Sequence, residues 1–182
     1  VVGNFYSYAG GFAVRNMVLL NTNGSRNTGF VGGAAFNGIV HKIAIQSDNK
    51  LVVSGEFTTY QNVSISRVVR IDTLGARDTT FNPGSGFNGT CYGLAVAPTG
   101  NIYVAGVFYT ANAYSRLGFA RLYANGSLDN TFFKESKLNS FVRSVAVTGN
   151  HNIILGGDFT FYNMHPVSYI CRLDNEGQID TT

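Results

Sequence analysis

Apolar residues in this chain come in short alternating runs, never on a sustained 3.6-residue stripe, and the runs repeat. Lys50-Leu-Val-Val-Ser-Gly-Glu-Phe57 returns as Asn101-Ile-Tyr-Val-Ala-Gly-Val-Phe108 and as Asn152-Ile-Ile-Leu-Gly-Gly-Asp-Phe159. A shortened copy, Val1-Val-Gly-Asn-Phe5, opens the sequence. Gly55, Gly106 and Gly157 stand 51 residues apart, and Gly3 precedes Gly55 by 52. Each copy predicts a strand that ends on a glycine and an aromatic residue: Phe57, Phe108 or Phe159. Self-similarity at such a period marks an array of one supersecondary unit.

Four strands per period are predicted. The first covers Ile39 to Ile45, Thr90 to Val96 and Phe141 to Val147. It follows a Phe-Asn-Gly turn at 36–38 and 87–89, and a weaker Leu138-Asn139-Ser140. Ile43 and Ile45 blur the alternation, so this strand reads as mostly buried. Tight turns at Asp48-Asn49, Thr99-Gly100 and Asn150-His151 lead into the Gly-Phe strand, because such residues tolerate positive φ. After a loop that differs in every copy comes a third strand: Arg67 to Ile71, Gly118 to Leu122 and Tyr169 to Leu173, with Asn16 to Leu20 in the first copy. Gly24, Gly75, Gly126 and Gly177, again 51 apart, mark a turn with a left-handed residue. A short fourth strand closes the unit: Asn27 to Phe30, Asp78 to Phe81, Asp129 to Phe132 and Asp180 to Thr182. The chain divides into a half blade at 1–30 and blades at 31–81, 82–132 and 133–182. This predicts an all-β fold, a β-propeller of four-stranded antiparallel blades with about three and a half blades present. A solenoid of hairpins is the alternative, although its coils are usually shorter.

Composition narrows the function classes. Only 13% of residues are charged, and Tyr, Phe, Asn and Gly are abundant, as strands and tight turns require. A net charge of +3, with Lys and Arg scattered, argues against nucleic acid. No run reaches the roughly 18 apolar residues of a membrane span, and no signal-like segment opens the chain. Propellers close with roughly four to eight blades. The ring is therefore expected to be completed by the rest of a longer chain or by neighbouring subunits.

The run of 87–132, Phe-Asn-Gly … Ala-Val … Gly-Asn-Ile-Tyr-Val-Ala-Gly-Val-Phe … Arg-Leu-Tyr-Ala-Asn-Gly-Ser-Leu-Asp-Asn-Thr-Phe, resembles the delta-60 repeat family of β-propellers, and the likeness recurs along the whole chain. The resemblance implies a bacterial secreted or surface protein or a phage virion protein, hence an extracellular place, and no shared catalytic activity. The last unit departs from the pattern by lacking Phe-Asn-Gly, and Leu19 stands where the other copies have Arg.

Residues that come once per unit read as structure. Arg70, Arg121 and Arg172 are expected to meet Asp78, Asp129 and Asp180 and to tie the third strand to the fourth. The Asp-x-Thr-Phe ends lack the ligand density of a calcium loop. His41, His151 and His165 fall at three phases, and the counterparts of His41 are Tyr92 and Arg143, so no metal cage is expected. Cys91 and Cys171 take small apolar positions and read as core thiols. Neither a metal nor a cofactor is expected.

The departures from the period lie in the loops 6–14, 58–66, 109–117 and 160–168. They carry Tyr6, Tyr8, Tyr60, Gln61, Asn62, Tyr109, Asn112, Tyr114, Arg116, Tyr162, Asn163 and His165. One shared phase puts them on one rim, and Tyr/Asn-rich loops with an occasional Arg suit recognition of a glycan or protein receptor. Tyr60 and Tyr162 are also placed to cover their own blades. The expected function is a non-enzymatic structural or binding module. Its alternatives are a polysaccharide-active propeller, for which Glu56 and Asp158 are the acidic pair to test, and a purely architectural subunit.

Overall fold

The computed structural model describes residues 1–8, 11–133 and 138–180. Residues 9–10 of the first variable loop, 134–137 of the last unit, and Thr181 and Thr182 lie outside the described residues. In the half unit, β1 (Ser7–Tyr8) and β2 (Phe12–Ala13) form a hairpin. The next blade contains β3 (Val40–Ile45), β4 (Leu51–Gly55), the hairpin β5 (Thr59–Tyr60) and β6 (Val63–Ser64), and β7 (Val68–Ile71). It is followed by β8 (Thr90–Val96), β9 (Ile102–Val107), β10 (Thr110–Ala111), β11 (Tyr114–Ser115) and β12 (Phe119–Leu122). The last blade contains β13 (Val142–Val147), β14 (Ile153–Gly157), β15 (Phe161–Tyr162), β16 (His165–Pro166) and β17 (Ile170–Leu173). Each three-stranded sheet is antiparallel with the Gly-Phe strand in the centre: β3-β4-β7, β8-β9-β12 and β13-β14-β17. No helix among the described residues is long and apolar enough to cross a membrane.

The fourth strand is shorter than the sequence suggests. It survives as one bridge per unit: Leu20 to Arg26, Ile71 to Arg77, Leu122 to Leu128 and Leu173 to Ile179. The cause is the aspartate itself. Asp78 Oδ1 accepts from the Thr80 backbone and hydroxyl, and Asp129 Oδ1 accepts from the same two groups of Thr131 and from Phe132 N. An Asx turn thus takes the N–H groups that a ladder would need.

The core lies between successive sheets, as blade packing demands. One layer joins Met17 and Phe30 of the half unit to Phe36, Val53 and Phe57. A second joins Val52 and Val68 to Cys91, Leu94 and Phe108, and a third joins Tyr103 and Phe119 to Val142, Leu155 and Phe159. Each fully buried Phe or Val contributes about 1.5–3 kcal/mol, so these layers outweigh any single polar contact. The first strands β3, β8 and β13 pack side by side from blade to blade.

The repeated Arg and Asp do meet, and the Arg reaches further. Arg70 Nε donates to Asp78 Oδ2 at 2.9 Å while Nη1 donates to Ala124 O of the following blade at 2.7 Å. Arg121 repeats this with Asp129 at 2.9 Å and Asn175 O at 2.9 Å, its guanidinium lying 4.0 Å over the Phe132 ring. Arg172 Nε lies 2.7 Å from Asp180 Oδ2. Burial works to raise the Asp129 carboxyl, but hydrogen bonds from Thr131 and Arg121 outweigh it and hold the group at about 2. Asp78 is likewise held well below its usual range, against burial, by Lys50 and Thr80.

Candidate functional site

The start of the first strand, the end of the second and the start of the third meet at one end of every sheet, and the variable loops issue from that end. Asn37 Oδ1 accepts from Thr58 N and Thr59 N; Asn88 and Asn139 accept from the equivalent amides of 109–110 and 160–161. Asn139 therefore preserves the turn although its Phe and Gly neighbours have changed.

The loops themselves repeat a conformation. In the three full blades each is a two-residue hairpin, with positive φ at Gln61 and Asn62, at Asn112 and Ala113, and at Asn163 and Met164. Two consecutive positive φ values define the type I′ turn, which explains the Asn at this phase. Asn112 is further engaged, its Oδ1 accepting from Ser85 N.

Several of the expected rim residues serve the scaffold instead. Tyr60 and Tyr162 are 0% and 1% exposed, and their hydroxyls donate to the turn carbonyls of Gly75 and Gly177. They alternate inward because the hairpin pleat turns every second residue to the core. Tyr8 is half-buried and makes the same bond to Gly24 O at 2.6 Å. Arg116 is buried and donates to Ser115 O at 2.7 Å. Gln61 remains exposed, but its amide reaches Gly75 O at 3.1 Å. Tyr6, Asn62, Tyr109, Tyr114, Asn163 and His165 do stand exposed. Tyr109 packs its ring edge against Phe141, with centroids 5.2 Å apart.

The most distinctive grouping at this end lies outside the loops. In each full blade the pairing of the first two strands slips by one residue: between Val40 and Lys42, Cys91 and Gly93, and Val142 and Ser144. The extra residues are His41, Tyr92 and Arg143. A β-bulge leaves such a residue unpaired and re-aims its side chain. The repeated glycine makes room for it, since a Cβ on Gly55, Gly106 or Gly157 would overlap the carbonyl oxygen of Ile39, Thr90 or Phe141. The three bulge residues form a contiguous row. The His41 and Tyr92 rings lie 4.7 Å apart, and the Arg143 guanidinium sits 5.5 Å over the Tyr92 ring.

Acidic partners come from the residue after the repeated glycine. His41 Nε2 and Glu56 Oε1 are 2.9 Å apart, and Arg143 donates to Asp158 Oδ2 from Nε and Nη2 at 2.9 and 2.6 Å. The bond to Asp158 raises the Arg143 pKa. Arg143 and Asp158 are 49% and 44% exposed, and Val107 occupies the intervening position. Glu56 and Asp158 are thus held by separate partners, His41 and Arg143, in non-adjacent blades rather than paired with each other. Among the described residues no group of three or more His, Cys, Asp or Glu could hold a metal. The thiols are core groups: burial pushes Cys91 well up and Cys171 up to about 11.

Sequence reasoning passed over His41, Tyr92 and Arg143 because they do not match one another. The signal was present in the spacing of core residues. Val40 and Ile43, Cys91 and Leu94, and Val142 and Val145 face inward three apart, where a regular strand gives two or four.

Comparison with known proteins now fixes the family. Residues 1–30, 46–81, 97–132 and 152–182 match the family described as domain of unknown function (DUF5122) beta-propeller. The chain belongs to this family. The bulge row falls between the matched segments, whereas the repeated glycines, arginines and aspartates fall within them. No curated protein matches the chain. Among solved structures, an X-ray structure of a candidate gluconolactonase is similar at 15% identity with a TM-score of 0.45, covering 87% of this chain and 52% of its own. The chain spans about half the length of that protein.

Proposed function

We propose that this chain is a non-enzymatic recognition module that binds saccharide through its loop-bearing face. The carrying observation is the bulge row: one structural device, used three times in register, lifts three different side chains onto an otherwise repeated scaffold. The surroundings suit a sugar. Tyr6, Tyr109 and Tyr114 are 67%, 62% and 51% exposed, giving aromatic faces for the C–H side of a pyranose. The forked Arg143–Asp158 pair offers the charge-assisted bonds that vicinal hydroxyls take. The resemblance to delta-60 repeats supports placing this face outside the cell, on a bacterial surface or a virion, where it would serve adhesion.

The separation of the carboxylates supports binding over hydrolysis. Glu56 is bonded to His41 and Asp158 to Arg143 in different blades, so the two carboxyls do not converge on one point as an acid–base pair would. Across the last sheet runs an apolar groove of about 410 Å³ lined by Ile154, Val167, Ile170 and Cys171. The equivalents of Ile154 and Ile170, Tyr103 and Phe119, are covered by the following blade, which supports further blades, in a longer chain or a neighbouring subunit, as the occupant.

A glycan array probed with the protein and with a Tyr92→Ala/Arg143→Ala variant tests the reading. The expected result is binding to a small set of glycans that the variant loses while keeping its circular dichroism. Equal binding by both proteins refutes it. Turnover of a bound glycan that Glu56→Gln abolishes would establish the enzymatic alternative.

A further inference from the structure

A second feature of the loop face is a polar pocket of about 270 Å³ between two blades. Its walls are the returning leg of the β5–β6 loop and the segment 82–85 that leads into the next blade. Ser64, Ser66 and Ser85 line it with hydroxyls, Ile65 and Pro83 supply an apolar side, and the buried ring of Phe81 closes it. Its single charged lining residue is Arg77, which is half-buried. The Arg77 guanidinium has no hydrogen-bond or ion-pair partner among the described residues, unlike Arg70, Arg121 and Arg143. The three serine hydroxyls likewise have no partner there.

That combination points outward. A guanidinium withdrawn from solvent without an anion is unfavourable, and its planar fork matches a carboxylate in two parallel bonds. Among the full blades the site is particular to this junction, because Leu128 and Ile179 occupy the position of Arg77 in the following two; Arg26 shares that position in the half unit, where the next segment lacks the Asn-Pro-Gly-Ser of 82–85. The linker segment is also fixed in place. Gly84 N donates to Asn82 Oδ1 at 3.0 Å, and Gly86, at φ +72, packs against Ser66 where a Cβ would collide. The rim is therefore preformed.

We infer that this pocket binds an acidic monosaccharide unit, with its carboxylate on Arg77, its hydroxyls on the serines and its C–H face on Ile65 and Pro83. The inference rests on the reading of the loop face as a saccharide surface, and it makes part of that surface selective for negative charge.

Calorimetric titration with glucuronate, glucose and inorganic sulfate tests it. Glucuronate should bind at least about tenfold more tightly than glucose or sulfate, since charge and ring must both be satisfied. Arg77→Leu should reduce glucuronate to the level of glucose. That variant takes the residue found at Leu128, so the blade tolerates it, and an unchanged thermal midpoint checks this. Arg77→Lys should recover part of the binding. Equal affinity for glucuronate and glucose, sulfate as tight as glucuronate, or full binding by a folded Arg77→Leu each overturns the inference. In Tyr92→Ala/Arg143→Ala the glucuronate binding that Arg77→Leu removes should remain. Array binding that survives this double variant while Arg77→Leu loses glucuronate would sink the bulge-row reading and spare the pocket.

Discussion

Replacing Asp129 by alanine should show how much of this fold depends on its repeated ion pairs. Asp129 is 1% exposed and Arg121 12% exposed, and the aspartate also accepts from Thr131 and Phe132. The substitution strands a guanidinium that has little access to water. Breaking a buried pair costs about 3–5 kcal/mol, and the retained bond to Asn175 and contact with Phe132 place the loss near the lower end. Asp180→Ala is the control, since that pair is 41% and 20% exposed and should cost no more than about 1 kcal/mol. The pH dependence follows from the same geometry. The Asp129 carboxyl lies at about 2 in the folded protein, down from 3.8, so its contribution is complete above pH 4 and disappears as pH falls towards 2. The depression corresponds to about 2–3 kcal/mol across that window. Urea unfolding of wild type and variant at pH 7 and pH 2.5 reads both effects. An Asp129→Ala loss no larger than that of Asp180→Ala, or a wild-type advantage undiminished at pH 2.5, would refute the reasoning.

Three further outcomes follow from the geometry. Tyr162→Phe should cost about 1–2 kcal/mol in urea unfolding by removing the hydroxyl that donates to the buried Gly177 carbonyl, whereas Tyr109→Phe on the exposed rim should be neutral. Gly106→Ala should cost about 2–3 kcal/mol, because its Cβ meets the Thr90 carbonyl; Gly149→Ala, with open space around it, should stay within about 0.5 kcal/mol. Neither Cys91 nor Cys171 should react with an aromatic disulfide reagent at pH 8 until the protein is unfolded, since burial keeps both as thiols; rapid labelling of the native chain would contradict that.

Much of the architecture was legible because the same local choices occur in every unit. Gly55, Gly106 and Gly157 marked the central strand, and the Arg–Asp spacing announced a bond that the structure contains. The fourth strand was misjudged in length because Asp78 and Asp129 compete for its amides, a side-chain effect invisible to alternation. The candidate site was legible only in part. Exposure of Tyr109 and Tyr114 could be read from phase, but the inward turn of Tyr60 and Tyr162 depends on a hairpin pleat within a loop. The bulge row was hidden because repetition was used to find structure, and His41, Tyr92 and Arg143 share a place without sharing chemistry.

Amide shift mapping by nuclear magnetic resonance, with the tightest glycan found on the array, tests the central claim most directly. The account predicts perturbations at the bulges around His41, Tyr92 and Arg143 and along the hairpin tips, with none at the opposite turns of Asn49, Gly100 and His151. Shifts confined to those turns, or no shifts at saturating glycan, would contradict it.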